Sequence, residues 1–260
     1  MSKPYFLSRV KLRDDVTLAQ LRKHGLFASN EYQNHKLVWK IMSYADNQER
    51  DFIFRTDFDT NGLPSFIICS QHEPQHDNDI WDIETKNYLP ILETGEKLKF
   101  YLRCNPTRTE NTETIRKERV TKLPLRKTRR VDVILEARRR AIEDHQEWSN
   151  DSIELKGSIN WLKNHEHKHV SGQNGFVETS VFSIAESSIQ VERYYQVPHP
   201  KVGNQKIQKR EDFETAKKLS ILDVSGILTV ENPSLFNEIL LHGIGHGKAF
   251  GCGLMMVKRY

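Results

Sequence analysis

The strongest constraint on the fold is the order in which short strand-like runs and amphipathic helices follow one another. In the first half of the chain, alternating apolar residues predict strands at 5–12, 51–58, 65–71 and 97–107. A helix from about Glu31 to Tyr44 is predicted between the first two strands. Asn105-Pro106 ends the last strand, because proline cannot continue a ladder. The resulting order, β-α-β-β-β, is close to a ferredoxin-like unit. A helix is expected in the polar, acidic stretch 75–95, but the sequence does not fix its position.

The second half of the chain repeats this mixture of helices and strands. Helices are predicted near 134–148, near 153–165 and at Pro233–His242, and strands near 176–185, 189–197, 219–230 and 253–260. The predicted fold class is therefore α+β, in two similar halves. We place an N-terminal domain at 1–112, a basic linker at 113–130 and a C-terminal domain at 131–260.

Composition limits the class of protein. A chain of 260 residues with 37% apolar side chains is long enough to bury a core in one or two domains. No run of 18 apolar residues occurs, and the N-terminus carries charges where a signal peptide would be apolar, so we expect a soluble cytoplasmic protein without a membrane partner. Cys69, Cys104 and Cys252 are far apart and form no CxxC pair, which favours neither a disulfide framework nor a cysteine zinc site. No cofactor is predicted.

Positive charge is concentrated in one basic segment, Arg116–Arg130. It holds eight basic residues and one acid; the basic residues are Arg116, Lys117, Arg119, Lys122, Arg126, Lys127, Arg129 and Arg130. Such a run is typical of a polyanion-binding surface, and the excess of arginine over lysine favours phosphate recognition. The alternative is a loop that is merely solvated.

A glycine loop, GIGHGKAFGCG at 243–253, places five glycines in eleven positions. It is not a Walker A loop, because His242 and Ala249 replace the required glycine and hydroxyl. It is not a dinucleotide fingerprint either, because Lys248 replaces a glycine and too few residues follow for a long helix. The pattern indicates a backbone with positive φ to which another group comes close. The alternative is a simple turn between a helix and the last strand.

The helix predicted after the first strand carries a candidate catalytic histidine. Its apolar arc contains Leu37, Val38, Ile41, Met42 and Ala45. Tyr32, His35 and Trp39 gather on another flank, so His35 is displaced from the centre of the core stripe. An imidazole exchanges protons near neutral pH, and the hydroxyl of Tyr32 is suited to orient or stabilise an oxyanion. A packed core histidine is the alternative.

Together these motifs resemble the CasE family of repeat-processing endoribonucleases from type I-E CRISPR systems. The family's Y-x-x-H pattern falls on Tyr32 and His35, and its terminal glycine signature is supplied by Gly243, Gly245, Lys248, Gly251 and Gly253. The resemblance extends over both halves, with insertions expected near 138–152 and 190–215. It implies two tandem ferredoxin-like domains.

The resemblance also implies an activity and partners. The implied activity is metal-independent cleavage of CRISPR precursor RNA at the base of the repeat hairpin. His35 and Tyr32 would be catalytic, and the products would be a 5′-hydroxyl and a 2′,3′-cyclic (or 3′) phosphate. The implied partners are the repeat RNA and the other subunits of the Cascade complex, with target DNA met only through that complex.

RNA-binding roles follow from the same resemblance. The basic segment would hold hairpin phosphates, and Gly245, Gly247 and Lys248 would let an RNA backbone or the facing domain approach closely. Lys217 and Lys218 are candidates for RNA contact and for the general acid.

Two other interpretations compete. His165, His167 and His169 in HEHKH alternate as strand ligands of a zinc ion would, which would make the protein a metal-dependent nuclease. Alternatively, the chain is a non-catalytic subunit that binds the RNA hairpin.

Overall fold

The computed structural model describes residues 4–26, 31–42, 50–75, 80–111, 128–172, 175–198 and 218–260. The strands are β1 Phe6–Leu12, β2 Phe52–Phe58, β3 Pro64–Ser70, β4 Trp81–Asn87, β5 Lys97–Cys104, β6 Thr107–Asn111, β7 Thr128–Asp132, β8 His167–Gly172, β9 Gly175–Ser180, β10 Phe182–Ile184, β11 Gln190–Pro198, β12 Lys218–Val230 and β13 Met255–Arg259. The helices are α1 Leu18–His24, α2 Glu31–Ile41, α3 Val133–Glu143, α4 Asn150–Lys163 and α5 Pro233–His242.

The first sheet has the strand order β2-β3-β1-β4, and every neighbouring pair is antiparallel. Alternation along the strands buries Val10, Phe54 and Phe66 on one face. Helix α2 covers that face with Leu37 and Val38, and these side chains join one hydrophobic core. The short helix α1, which the sequence analysis does not predict, begins at a capping box formed by Thr17 and Gln20.

The second sheet is built in the same way. Its order is β10-β12-β5-β13, and β11 also pairs with β12, along the first part of that long strand. The core of this half contains Trp161 of α4 and Phe236 of α5. Helix α5 has the predicted bounds, because the Asn232 side chain accepts a hydrogen bond from the Leu235 amide, proline stands at the start of the helix, and Gly243 ends it.

The two sheets share one topology. In the first unit, β1 to β4 occupy strand positions 1 to 4. In the second unit, β5 occupies position 1, β10 and β11 share position 2, β12 occupies position 3 and β13 position 4. Both sheets then have the order 2-3-1-4. A pair of helices connects the first two positions in each unit. This antiparallel arrangement is ferredoxin-like, which confirms the predicted α+β fold of two tandem units.

One strand belongs to a different sheet from the one predicted. Residues Lys97–Cys104 form a strand, but they pair with β12 and β13 in the second sheet. The fourth strand of the first sheet is β4, within the stretch 75–95 for which a helix is expected, so that expectation is wrong at Trp81–Asn87. Its apolar alternation is limited to Trp81 and Ile83, because β4 lies at the sheet edge and its remaining residues are polar.

This pairing favours a different division between the halves. A boundary at 112 would separate β5 from the sheet that contains it, so we propose that the change of unit falls between Asn87 and Lys97. With that proposed division, the basic segment, predicted as a linker between the halves, would fall within the second unit, because it lies in the chain between β5 and α3.

The two sheets meet around a small apolar cluster that also includes Leu241 of α5. Ile53 and Cys69 of the first sheet pack against Leu254, with Ile67 and Met256 beside them. Because each sheet buries its other face under helices, this contact covers the second face of β2, which is buried along most of its length. No helix in the described ranges is long and apolar enough to cross a membrane.

A buried arginine, paired with an aspartate of its own sheet, connects the two units. Arg103 of β5 donates from Nε and Nη2 to the two carboxylate oxygens of Asp223 on β12, at 2.7 and 2.8 Å. Its Nη1 donates to the Thr56 carbonyl of β2 at 2.6 Å. Burial opposes the charged form of Asp223, but the hydrogen bonds and charge of Arg103 outweigh it and hold the pKa of that carboxyl below its usual value.

We expect Asp223→Asn to lower the free energy of unfolding by about 3–5 kcal/mol, because it leaves the buried Arg103 charge without its counter-ion. Urea unfolding followed by circular dichroism measures this loss.

The control is Asp82→Asn, which breaks the exposed cross-strand pair between Lys11 and Asp82. It should cost about 1 kcal/mol or less, because water screens both charges. Equal losses in the two variants would show that the buried pair stabilises the protein no more than an exposed pair does.

Candidate active site

Helix α2 presents the candidate catalytic residues at its flank. Leu37, Val38 and Ile41 are buried in the core, whereas Tyr32 and His35 are half-buried. The ring of His35 lies 6.4 Å from the ring of Tyr32, nearly parallel to it, and 5.7 Å from the ring of Trp39. The predicted gathering of Tyr32, His35 and Trp39 on one flank of the helix is therefore observed.

The C-terminal glycine loop completes this site with Phe250. Residues Lys248–Phe250 form a 3-10 turn against α2, and the ring of Phe250 lies 6.1 Å from that of His35. On its other side Phe250 packs against a cluster that contains Ile221 and Tyr195 of the second sheet. The sequence analysis does not single out Phe250. The available signal is that it is the only aromatic residue of the glycine loop.

The loop glycines are packed against the protein itself. All five have positive φ, and a Cβ added at Gly245 would lie 2.7 Å from the indole of Trp161. A Cβ at Gly251 would lie 3.3 Å from the ring of Phe54 on β2. Close approach of the facing domain, one of the two explanations offered for the glycines, is thus observed at Gly251. Contact of Gly245 and Gly247 with RNA stays a prediction.

Lys248 has a partner within the protein. Its Nζ donates to the carbonyl of His242 at 2.8 Å, at the C-terminal end of α5, where a cation is favoured. Burial lowers the pKa of Lys248, and the nearby charge of Arg50 lowers it further. Lys248 therefore fixes the start of the glycine loop, and its predicted contact with RNA remains to be tested.

Two of the predicted basic residues lie on a hairpin beside the second sheet. Strands β6 and β7 pair with each other and carry Arg129 and Arg130. Arg129 donates to Glu110 from Nε and Nη2, whereas Arg130 is exposed. Together with Arg139 of α3 they line a cleft of about 320 Å³. The other predicted basic residues, Arg116, Lys117, Arg119, Lys122, Arg126 and Lys127, lie outside the described residues, as does Lys217.

The structure arranges the histidines of HEHKH differently from a strand of metal ligands. His165 lies in the turn after α4, with Nδ1 2.8 Å from the Trp161 carbonyl, and its pKa is lowered by burial. Strand β8 begins only at His167, and the side chain of His169 lies outside the described part. Among the described side chains, no group of three or more His, Cys, Asp or Glu could hold a metal ion.

The sequence has a clear family relationship. A sequence profile of the family described as CRISPR associated protein matches residues 5–259. The chain belongs to this family of CRISPR-associated proteins. No curated protein sequence matches it.

Solved structures share the fold of this CRISPR-associated protein over nearly its whole length. A structure of the CRISPR endoribonuclease Cse3 bound to 19 nt RNA has a TM-score of 0.58 at 19% identity, covering 98% of this chain and 99% of that chain. Thermus thermophilus Cse3, bound to an RNA representing a pre-cleavage complex, has a TM-score of 0.57 at 18% identity, covering 98% and 99%. The CRISPR-associated protein Cas6e from Escherichia coli K-12 has a TM-score of 0.53 at 19% identity, covering 98% and 100%.

These comparisons confirm the family resemblance and the fold of the CRISPR-associated protein. The comparisons assign no role to His35, Tyr32 or the basic residues.

The contact between the glycine loop and Trp161 can be tested by adding one methyl group. We expect Gly245→Ala to destabilise the CRISPR-associated protein by about 2–4 kcal/mol. The positive φ costs about 1–2 kcal/mol and the overlap with the buried indole about 1 kcal/mol or more. Thermal unfolding measures the loss.

Gly62→Ala is the matched control, because Gly62 has a φ of 75° but no atom within 4 Å of an added Cβ. It should show only the backbone cost. Equal losses at the two positions would mean that the glycine loop is not packed against Trp161.

Proposed function

We propose that this protein is a metal-independent endoribonuclease that cuts CRISPR precursor RNA at the base of the repeat hairpin. The position of His35 carries the proposal. It is a half-buried imidazole, flanked by Tyr32 on its own helix and by Phe250 from the opposite end of the chain. The similarity in fold to Cse3, which was solved with RNA bound, supports the same conclusion.

The chemistry uses a nucleophile that RNA itself carries. Scission needs a base to remove the proton of a 2′-hydroxyl and an acid to protonate the departing 5′ oxygen, and His35 supplies one of these two roles. The products are a 5′-hydroxyl end and a 2′,3′-cyclic (or 3′) phosphate end. No step of this reaction requires a metal ion.

Tyr32 and nearby lysines assist in this scheme. Tyr32 orients the hydroxyl or stabilises the charge that grows on the phosphate. The Nζ of Lys36 lies 4.4 Å from the centre of the Tyr32 ring, which places a cation beside it. Lys217 and Lys218 remain candidates for the general acid. Lys218 begins β12 next to Leu219, which packs in the cluster that holds Phe250.

The RNA hairpin binds along the second unit in this proposal. A-form RNA is recognised mainly through its shape and backbone, so exposed arginines such as Arg130, with the rest of the basic segment, hold its phosphates. Lys248 and the backbone of Gly245 and Gly247 contact the strand near the cut. The protein then stays bound to the mature CRISPR RNA with the other Cascade subunits, and it meets target DNA only through that complex.

We expect His35→Ala to lower the single-turnover rate of repeat-RNA cleavage by about 10²–10⁴-fold, because it removes a proton-transfer group. Affinity for the hairpin should stay within a few fold, because the imidazole makes few phosphate contacts. Gel-resolved cleavage at saturating protein measures the rate.

His24→Ala is the control, since His24 is a half-buried histidine at the end of α1 in the same unit. It should retain full activity. A repeat RNA with 2′-deoxyribose at the cleaved nucleotide should bind and remain intact. A non-catalytic RNA-binding subunit would show no cleavage even in the unmodified protein, which would refute the proposal.

The role of the basic segment is tested by salt dependence. Arg130→Ala should reduce the slope of log affinity for the hairpin against log salt by about 0.7–0.9, the effect of one lost phosphate contact. The cleavage rate of bound RNA should change little. Fluorescence anisotropy at several salt concentrations measures the slope.

Arg22→Ala removes the same charge from an exposed position on α1, in the other unit from strands β6 and β7. It should leave the slope unchanged. If Arg130→Ala also leaves it unchanged, Arg130 is only a solvated charge and the RNA follows another path.

A further inference from the structure

Strand β4 forms one edge of the first sheet, and half of its backbone groups point away from that sheet. The Arg13 amide donates to the Ile80 carbonyl before the strand, and the Tyr88 amide donates to the Tyr5 carbonyl after it. In an antiparallel ladder, residues that bond the neighbouring strand alternate with residues whose N–H and C=O point away from it. With the register between β1 and β4, the residues that point away from β1 are Trp81, Ile83, Thr85 and Asn87.

This outer edge is open in the described part of the chain. Among the described strands β4 pairs only with β1, and no described residue hydrogen bonds to the outward backbone groups. The strand has seven residues and no proline, so it is long enough to accept another strand. Pro90 sets the limit of this segment, because it has no N–H to donate.

The charged residues of β4 select the strand that can pair with it. Asp82, Glu84 and Lys86 occupy alternate positions and therefore share one face of the sheet. Glu84 and Lys86 are both exposed. When a second copy of β4 pairs antiparallel about a two-fold axis at Thr85, each Glu84 lies directly opposite Lys86 of the other copy. The strand is thus complementary in charge to itself.

The neighbouring registers oppose like charges. An axis at Glu84 places the two Glu84 carboxylates opposite each other, and an axis at Lys86 does the same with the two ammonium groups. An axis at Ile83 places Asp82 opposite Glu84 twice. Like charges directly opposite in a ladder are destabilising, and opposite charges are stabilising. Of these four registers, the charges therefore favour the one centred on Thr85.

The same register covers an exposed leucine. Leu89 follows β4 and is 76% exposed. Its position lies opposite Trp81 of the second copy when Thr85 is opposite Thr85. Residues at odd positions share the face on which Trp81 and Ile83 join the hydrophobic core of the first unit. Pairing in this register therefore continues the apolar face of one sheet into the other.

We propose that β4 is a self-association surface, through which two copies of this chain join their four-stranded first sheets edge to edge, with Thr85 opposite Thr85. Such an edge contact belongs to the small interfaces, below about 1,200 Å² of buried surface, so the dimer is weak and forms at high protein concentration. Strand β2, against which Gly251 of the glycine loop packs, lies at the opposite edge of the sheet. The site of His35 stays open in both copies, and the proposal does not depend on the proposed function.

Sedimentation equilibrium of the full-length protein without RNA tests the dimer, over the range of weak association from about 1 μM to about 1 mM. Glu84→Lys places two lysines opposite each other at both contacts, and Lys86→Glu places two acids there. Each variant should raise the dissociation constant of the dimer by about tenfold or more. A mixture of the two variants restores opposite charges at both contacts, so it should associate at least as tightly as the unmodified protein.

Glu143→Lys is the matched control. It replaces an exposed carboxylate that is 3.6 Å from Arg139 on α3, just as Glu84→Lys replaces one that is 3.4 Å from Arg9. The control should leave association unchanged, and thermal unfolding checks that each variant is folded. A protein that is monomeric at every concentration would overturn the proposal. A dimer that survives Glu84→Lys and Lys86→Glu, or a mixture of the two that stays monomeric, would also overturn it.

Discussion

The guanidinium of Arg103 is the group on which the rest of the structure depends. It binds Asp223 within the second sheet and the Thr56 carbonyl of the first sheet, and the Arg103 carbonyl accepts a hydrogen bond from the Gly253 amide at 2.7 Å. One buried residue thus joins both units and the glycine loop. Sliding of one unit against the other would keep the pair of Arg103 and Asp223, which lie in the same sheet, but would leave the buried Nη1 of Arg103 without the Thr56 carbonyl.

This coupling explains how residues from the two ends of the chain form one site. Helix α2 is held on the first sheet by its apolar arc, whereas Phe250 is held by the second sheet and the glycine loop. The loop lies along β2, where the bare backbone of Gly251 permits contact with Phe54. The ring of Phe250 reaches His35 only because these two surfaces are fixed against each other. The surroundings of the proposed catalytic histidine therefore depend on the contact between the units.

Local patterns in the sequence predict most of the elements, but they do not determine which strands pair. The strand 97–104 and the helix Pro233–His242 are visible because alternation, capping and proline act over a few residues. The sheet that contains β5 is set by distant contacts, including the pairing of Arg103 with Asp223, which no local pattern shows. The flank of Tyr32 and His35 is predictable from helical spacing. Phe250 is not, because its position follows from the packing of the loop between two sheets.

The ends of the cleaved RNA test the central claim most directly, namely that the site of His35 cuts RNA with the substrate's own 2′-hydroxyl. Purified protein would be incubated with repeat RNA in the presence of a chelator, and the products analysed by mass spectrometry. The account predicts a 2′,3′-cyclic or 3′ phosphate on one fragment and a 5′-hydroxyl on the other. A 3′-hydroxyl with a 5′-phosphate would contradict it, because those ends require attack by water rather than by the neighbouring hydroxyl.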